Sequence, residues 1–321
     1  MRKKSALCSI LVSALLLLPA VFAAAQYDIT AATDDLNQVA DALSSIFGPN
    51  LGGMSYVGDP VGYSVVPRVE FGISGGVVFV PLENINTGTD LEVDFGDMGR
   101  LAAFPIPAAG AHAKFTISKK FEMGVKVAGI PEMANEKAGA SINNLIIGGK
   151  FRYNLLNYKL PLIKGGISVG ALYEYMNGGI LLTESDSSSV DADDNPATQN
   201  GTLTTTGDLN TRWTANTFGG EAQANLQVIF LNFFLGTRVS KSFGKATTSL
   251  KGTSTLTAGT GITPFTDELV DITQETKPQG IDPYVFGGVE LKILGLVLTG
   301  RGTYNMKNEN YIIESGVRLQ F

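Results

Sequence analysis

The chain closes on YIIESGVRLQF, residues 311–321. Tyr311, Ile313, Val317, Leu319 and Phe321 share one parity, while Glu314, Arg318 and Gln320 share the other. An extended strand sends successive side chains to opposite faces, so this stretch reads as a strand with one apolar and one polar face. Earlier stretches repeat the pattern. In 163–177, Ile163, Ile167, Val169, Ala171, Tyr173 and Tyr175 oppose Lys164, Ser168 and Glu174. In 121–129, Phe121, Met123, Val125 and Val127 oppose Glu122 and Lys126. In 145–154, Leu145, Ile147, Phe151 and Tyr153 oppose Lys150, Arg152 and Asn154. In 217–228, Phe218, Ala222, Ala224, Leu226 and Val228 oppose Glu221, Gln223, Asn225 and Gln227.

Two-faced strands suit a soluble sandwich or a transmembrane barrel. Length and spacing choose the barrel. Strands of globular proteins average about 5–6 residues, whereas a tilted transmembrane strand needs about 9–11, and these runs are of the longer kind. Connections are short at 118–120, 154–161, 229–232 and 292–295, and long at 82–110, 130–144, 178–212 and 244–282. Only 307–310 is short where a long one is due. Tight turns at one end and long loops at the other are the outer-membrane arrangement. Counting back from Phe321, strands at 311–321, 295–306, 282–292, 232–243, 213–228, 163–177, 145–153, 121–129, 110–118 and 65–81 alternate down and up. The expected fold is all-β: a transmembrane antiparallel up-and-down β-barrel of about ten strands over 65–321. Twelve strands result if 247–257 and 268–275 form a separate hairpin; we read them as barrel strands extending beyond the membrane.

Composition narrows the classes. Of 321 residues, 38 are Gly, one is Cys and one is His, and charged residues are 17%. One Cys excludes a disulfide scaffold, and one His leaves no material for a histidine metal site. A mean hydropathy of +0.14 is far too low for a helical membrane bundle, and a pI near 5.0 disfavours nucleic-acid binding.

The first 25 residues read as a signal peptide. Arg2, Lys3 and Lys4 precede an apolar run at 7–18, Pro19 closes it, and Ala23-Ala24-Ala25 supplies the small residues a peptidase reads. Cleavage is expected before Gln26, with the outer membrane as destination; an N-terminal anchor is the alternative. Cys8 leaves with this segment, as do three cations, so the mature chain is Cys-free and more acidic than the formal −6 of the whole. Residues 26–60 form a periplasmic segment with a short amphipathic helix. Thr33 can cap it, Asp34 and Asp35 suit its first turn, and Leu36, Val39, Leu43, Ile46 and Phe47 form one stripe before Gly48-Pro49. Packing at the barrel mouth is preferred over plugging a lumen.

Chemical motifs are sparse. Asp191-x-Asp193-x-Asn195 opens like a calcium loop, but Pro196 stands where that motif needs Gly and Thr202 where it needs Glu. The Ser/Thr/Asp-rich 184–208 and Thr/Gly-rich 252–261 read as solvated loops. His112 has no nucleophile motif beside it and reads as an inward polar residue satisfied by neighbours. No metal, cofactor or enzymatic activity is expected.

The stretches HAKFTISKKFEMGVKVAGIP (112–131), LIIGGKFRYNLL (145–156), LPLIKGGISVGALYEYMNGG (160–179) and FGGEAQANLQVIFLNFFLGTRVSKSFG (218–244) resemble a poorly characterised group of bacterial outer-membrane barrel proteins. The likeness is a rhythm of strands and turns, and it implies a fold without assigning a site. More distantly, the chain is similar to long-chain fatty-acid transporter barrels, which also place a short segment before the first strand. Those barrels have more strands, and no substrate-binding residue corresponds by position.

Turning the polar parity inward places Arg68, Lys114, Lys126, Lys150, Arg152, Lys164, Arg238, Lys292, Arg301 and Arg318 in the lumen. Glu70, Glu122, Glu174, Glu221, Glu290 and Glu314 join them. About eight strands make a barrel that side chains fill, and about sixteen leave a channel, so ten lies on the narrow side. Two functions follow. One is a narrow channel or transporter for small solutes or hydrophobic molecules, weakly anion-preferring from its excess of cations. The other is a structural or surface-interaction barrel with a closed, ion-paired lumen and exposed acidic, Thr-rich loops. Expected partners are outer-membrane lipid and the barrel-assembly machinery, which would read a C-terminal strand ending in Phe321.

Overall fold

The computed structural model describes residues 67–81, 103–135, 140–190, 201–257, 265–277 and 280–321. Their regular structure is all strand: β1 (Arg68–Pro81), β2 (Ala103–Thr116), β3 (Phe121–Asn135), β4 (Ala140–Lys159), β5 (Ile163–Val190), β6 (Gly201–Val228), β7 (Leu231–Thr257), β8 (Phe265–Thr276), β9 (Asp282–Ile293), β10 (Leu296–Asn305) and β11 (Tyr311–Gln320). The expected leader, the N-terminal helix and the calcium-like motif lie outside the described residues.

Neighbours pair antiparallel in chain order from β1 to β7, then β7 with β9, β9 with β10, and β10 with β11. β11 closes the ring on β1, from Glu70↔Gln320 to Phe79↔Tyr311. Just beyond this ladder Val69 and Phe321 exchange both backbone hydrogen bonds, at 3.3 and 2.9 Å. The result is a closed barrel of ten strands.

β8 stays outside the ring. It pairs with the far half of β7, from Ala246↔Thr276 to Leu256↔Phe265, while β9 takes the near half from Leu231↔Leu291 to Ser240↔Asp282. The two registers are continuous, so β8 and β9 are one long strand interrupted at 277–281. That collinearity settles the count at ten and removes the twelve-strand alternative.

The strands outrun their expected bounds. Residues 178–212, read from sequence as a long loop, are strand over 178–190 and 201–212, and β5 and β6 pair out to Val190↔Gly201. Hydroxyl composition looks like loop, yet on facing strands hydroxyls bond to one another. Ser187 and Thr204 meet at 3.1 Å, Thr206 donates to Ser185 at 3.3 Å, and Thr183 donates to Asp208 at 2.6 Å. The Thr-rich 252–257 belongs to β7, paired with β6 from Gly207↔Gly252 to Thr202↔Thr257. β5, β6, β7 and β8 thereby build a four-stranded ribbon beyond the ring, because β4 leaves β5 at Ala140↔Leu182.

Short turns mark the opposite end. Ser118 Oγ accepts from the backbone N–H of Lys120 and Phe121, both at 3.2 Å. Leu294 and Gly295 form a two-residue turn with φ of +47° and +88°, which suits the twist of flanking strands. Glycine adopts that conformation freely and leucine does not.

One seam stops early. β2 and β3 pair only from Thr116↔Glu122 to Ala109↔Gly129, although β2 continues on β1 as far as Ala103 and β3 continues on β4 as far as Asn135. In an antiparallel strand a residue aims its N–H and C=O at the same neighbour. Val69 bonds β11, so Glu70 and its even-numbered companions bond β2, whose even-numbered residues answer. The odd-numbered residues of β2 therefore face β3. Continuing the register from Ala109↔Gly129 sets Pro107 against Pro131, and neither has an N–H to give. The ladder ends at that position.

Candidate functional site

The wall separates two environments. Outside, Ile73, Val125, Val127, Ile147, Ile167, Leu235, Ile313 and Val317 are exposed. Aromatic contacts sit at two levels of this apolar surface. Near the short turns Phe121 packs on Phe151 and Tyr153, with centroids 5.6 and 5.1 Å apart. Toward the ribbon Tyr173 packs on Phe218 at 5.0 Å, and Tyr304 on Tyr311 at 4.9 Å.

Inside, charge alternates along a continuous chain. Glu221 is shared by Lys150 and, at 3.2 Å, by Arg152. Arg152 also holds Glu122 at 2.8 Å, and Lys114 bridges Glu122 at 3.4 Å to Glu70 at 3.3 Å. Glu70 meets Arg68 and, at 3.0 Å, Arg318. Arg318 grips Glu290 with two nitrogens at 2.6 and 3.0 Å, while Asn232 donates to Glu290 at 2.9 Å. A second knot joins Glu174 to Lys126 at 2.7 Å and to Arg238 at 3.0 Å. Arg301 lies 3.8 Å from Glu314 and 4.1 Å above the Phe286 ring centre. Every barrel strand contributes a member.

All sixteen charged residues expected in the lumen stand on the buried parity. Fourteen of them enter these ion pairs. Lys292 donates to Gln227 at 3.2 Å, and Lys164 stands in the same phase near the turns, half-buried. Arg152, Arg318, Glu70, Glu174, Glu290 and Glu314 are each less than 2% exposed, so the network fills its level of the barrel. A buried carboxylate needs partners of opposite charge, and here each of the six has them. His112 is a correction. It is inward and buried as expected, with its ring beside Gly72, which leaves room because it has no Cβ, but its Nε2 has no hydrogen-bond partner among the described residues.

Sequence reading missed a second layer. Toward the ribbon the buried parity becomes apolar: Val78, Ile130, Ile146, Met176, Trp213 and Ile312 form one cluster with neighbouring alanines. Trp213 donates from Nε1 to Asn144 Oδ1 at 2.9 Å, reaching across Gly178. A Cβ on Gly178 would stand 2.7 Å from the indole. The signal for this layer was available. Met176 follows Glu174 on the same parity, and Ile146 precedes Lys150 on theirs.

Among curated proteins none matches the chain. Solved structures similar to it include the translocator domain of the autotransporter NalP from Neisseria meningitidis, at 8% identity, 90% of this chain, 98% of that chain and a TM-score of 0.30. The outer membrane protease OmpT from Escherichia coli is similar at 9% identity, 82% of this chain, 100% of that chain and a TM-score of 0.36. Omp33 of Acinetobacter baumannii is similar at 8% identity, 79% of this chain, 99% of that chain and a TM-score of 0.29. Likeness of this degree transfers no activity. The family match is stronger: residues 56–321 fit the Lsa36-like family model. It bears on the resemblance to a poorly characterised barrel group, and not on the resemblance to fatty-acid transporters. Covering most of the sequence and the whole barrel, it makes this chain a member of the Lsa36-like family.

Proposed function

We propose that the protein is an outer-membrane barrel that does not conduct, and that its closed lumen anchors the β5–β8 ribbon as an interaction surface outside the cell. The observation that carries this reading is the ion network, which fills its level of the lumen with buried, mutually paired side chains. A ten-stranded ring is narrow enough for side chains to fill. The apolar outer band and its two aromatic levels support the membrane placement. In this reading residues 1–25 are removed as a signal peptide, 26–60 remain periplasmic, and the assembly machinery engages the strand ending in Phe321. The short turns face the periplasm. No catalytic role is assigned.

Planar-bilayer recording tests the choice against a channel. The full chain, inserted and confirmed by heat-modifiable migration, is expected to give no sustained conductance steps in 1 M salt. Regular steps in the unmodified protein would return the narrow, anion-preferring pore.

A further inference from the structure

The unzipped β2–β3 seam, the apolar layer and one unsatisfied amide meet at the same height. Ile130 pairs with Asn144, Asn144 with Gly178, Gly178 with Trp213 and Trp213 with Ala246, so these residues form one row across five strands. Ile130 follows Gly129, where the seam opens. A cavity of about 280 Å³ lies here, lined by Ile130, Asn143, Asn144, Leu145 and Asn177. Ile130 and Asn144 are buried, whereas Leu145 is 45% exposed on the outer band, so the cavity straddles the wall. Asn144 is 5% exposed; its Oδ1 is taken by Trp213, which fixes the amide's orientation. Its Nδ2 is buried and has no hydrogen-bond partner among the described residues.

We propose that this cavity binds the acyl-ester end of a lipid from the surrounding bilayer, entering through the β2–β3 seam. The ester carbonyl accepts from Asn144 Nδ2, and the first carbons of the chain lie against Ile130 and the apolar layer beside Trp213. A volume near 280 Å³ accommodates an ester group and the first carbons of one chain. The lining sets Ile130 and Leu145 beside three asparagines; Asn177 Nδ2 already donates to Tyr175 at 3.3 Å, whereas the buried Asn144 Nδ2 has no partner among the described residues. The seam supplies access because Pro107 and Pro131 deny the strands the donors that would zip it. Binding here is residence of one lipid, not passage through the lumen. It rests on the membrane placement above.

Trp213 is the chain's single tryptophan, so its fluorescence reports on this site alone. The full chain is reconstituted in phosphatidylcholine vesicles, either plain or brominated at acyl carbons 6 and 7. Bromolipid is expected to lower Trp213 emission at least twofold, although the indole is buried. Pro107→Thr/Pro131→Thr, which restores two donors to the seam, is expected to cut the quenching to less than half. Asn144→Leu should do the same with the seam untouched, and it serves if the double variant does not fold. Trp213→Phe/Val169→Trp moves the reporter to the outer face, where bromolipid must quench it. If this control is quenched and Trp213 is not, the lipid site is wrong while the membrane placement stands. If the control is not quenched either, the placement itself fails. Brominated free fatty acid, added at a few mole per cent to plain vesicles, should leave Trp213 unchanged. Quenching by the free acid in preference to the ester lipid would overturn the assignment of the ligand.

Discussion

Arg318, on the last strand, holds Glu290 through both terminal nitrogens while its Nε lies 3.0 Å from Glu70 on the first. One guanidinium thus ties both sides of the closing seam to β9. Its planar fork suits two carboxylates in a way that an ammonium cannot. Arg318→Ala would leave Glu290 and Glu70 buried with fewer partners, and a loss of about 3–5 kcal/mol is expected. Arg318→Lys should recover only part of it. Denaturant unfolding of the refolded barrel in micelles measures both; equal stability of Arg318→Ala and the parent would show that the pairing carries no weight.

The outer band and the lumen parity differ in what they tolerate. Leu319 is exposed and Gln320 half-buried beside Glu70 across the closing ladder. Leu319→Arg should cost roughly 2–4 kcal/mol near the bilayer midplane and less toward an interface. Gln320→Lys should be accepted. Heat-modifiable migration after refolding compares them, and identical yields would remove the alternating assignment.

Opening the lumen requires removing its filling. Lys150, Arg152 and Glu221 lie together at one end of the ion chain. Replacing all three with Ala removes charge of both signs from that level and leaves Glu122 paired with Lys114. Conductance steps are expected in the triple variant and not in the parent. A silent triple variant that still migrates as a folded barrel would place the closure elsewhere.

The Leu294-Gly295 turn is suboptimal at its first position. Leu294 is fully exposed at φ +47°, so its side chain gains nothing from burial. Leu294→Asn or Leu294→Gly should stabilise by about 0.4–1 kcal/mol, since both residues adopt this conformation more readily. Gly295→Val should destabilise by more than that. Unfolding midpoints in urea distinguish the three.

The ribbon is separable from the ring. Ser185 and Thr206 are register partners beyond the last β4 contact. Replacing 185–206 with Asn-Gly turns the strands early with a suitable two-residue loop. The shortened protein should fold to the same heat-modifiable form. Failure of that form to appear would make the ribbon part of the ring's stability.

Much of the ring was legible because its two faces meet opposite environments. Period-two alternation in 121–129 and 311–321 follows from those environments, and it located where both strands start, although β3 runs on to Asn135. Parity also put Arg152, Glu122 and Glu221 on a common face, but it could not say that they touch. The strand ends were less legible. Thr204, Ser187 and their neighbours have loop composition, and only a facing hydroxyl turns them into ladder. The β2–β3 split was hidden for a different reason. Pro107 and Pro131 are unremarkable singly, and their opposition exists only once the register is known.

Val69 and Phe321 bond each other directly, so the ring's closing edge joins the two extremes of the barrel sequence. The ring cannot close without β11, whose ladder on β1 runs from Tyr311 to Gln320. Until that strand is in place, this edge of β1 is open with nothing of its own to meet it. Closure is therefore a single late event. Arg68, Glu70 and Arg318 reach their shared pairing only in that event, so the charge arriving with the last strand is neutralised as the circle completes.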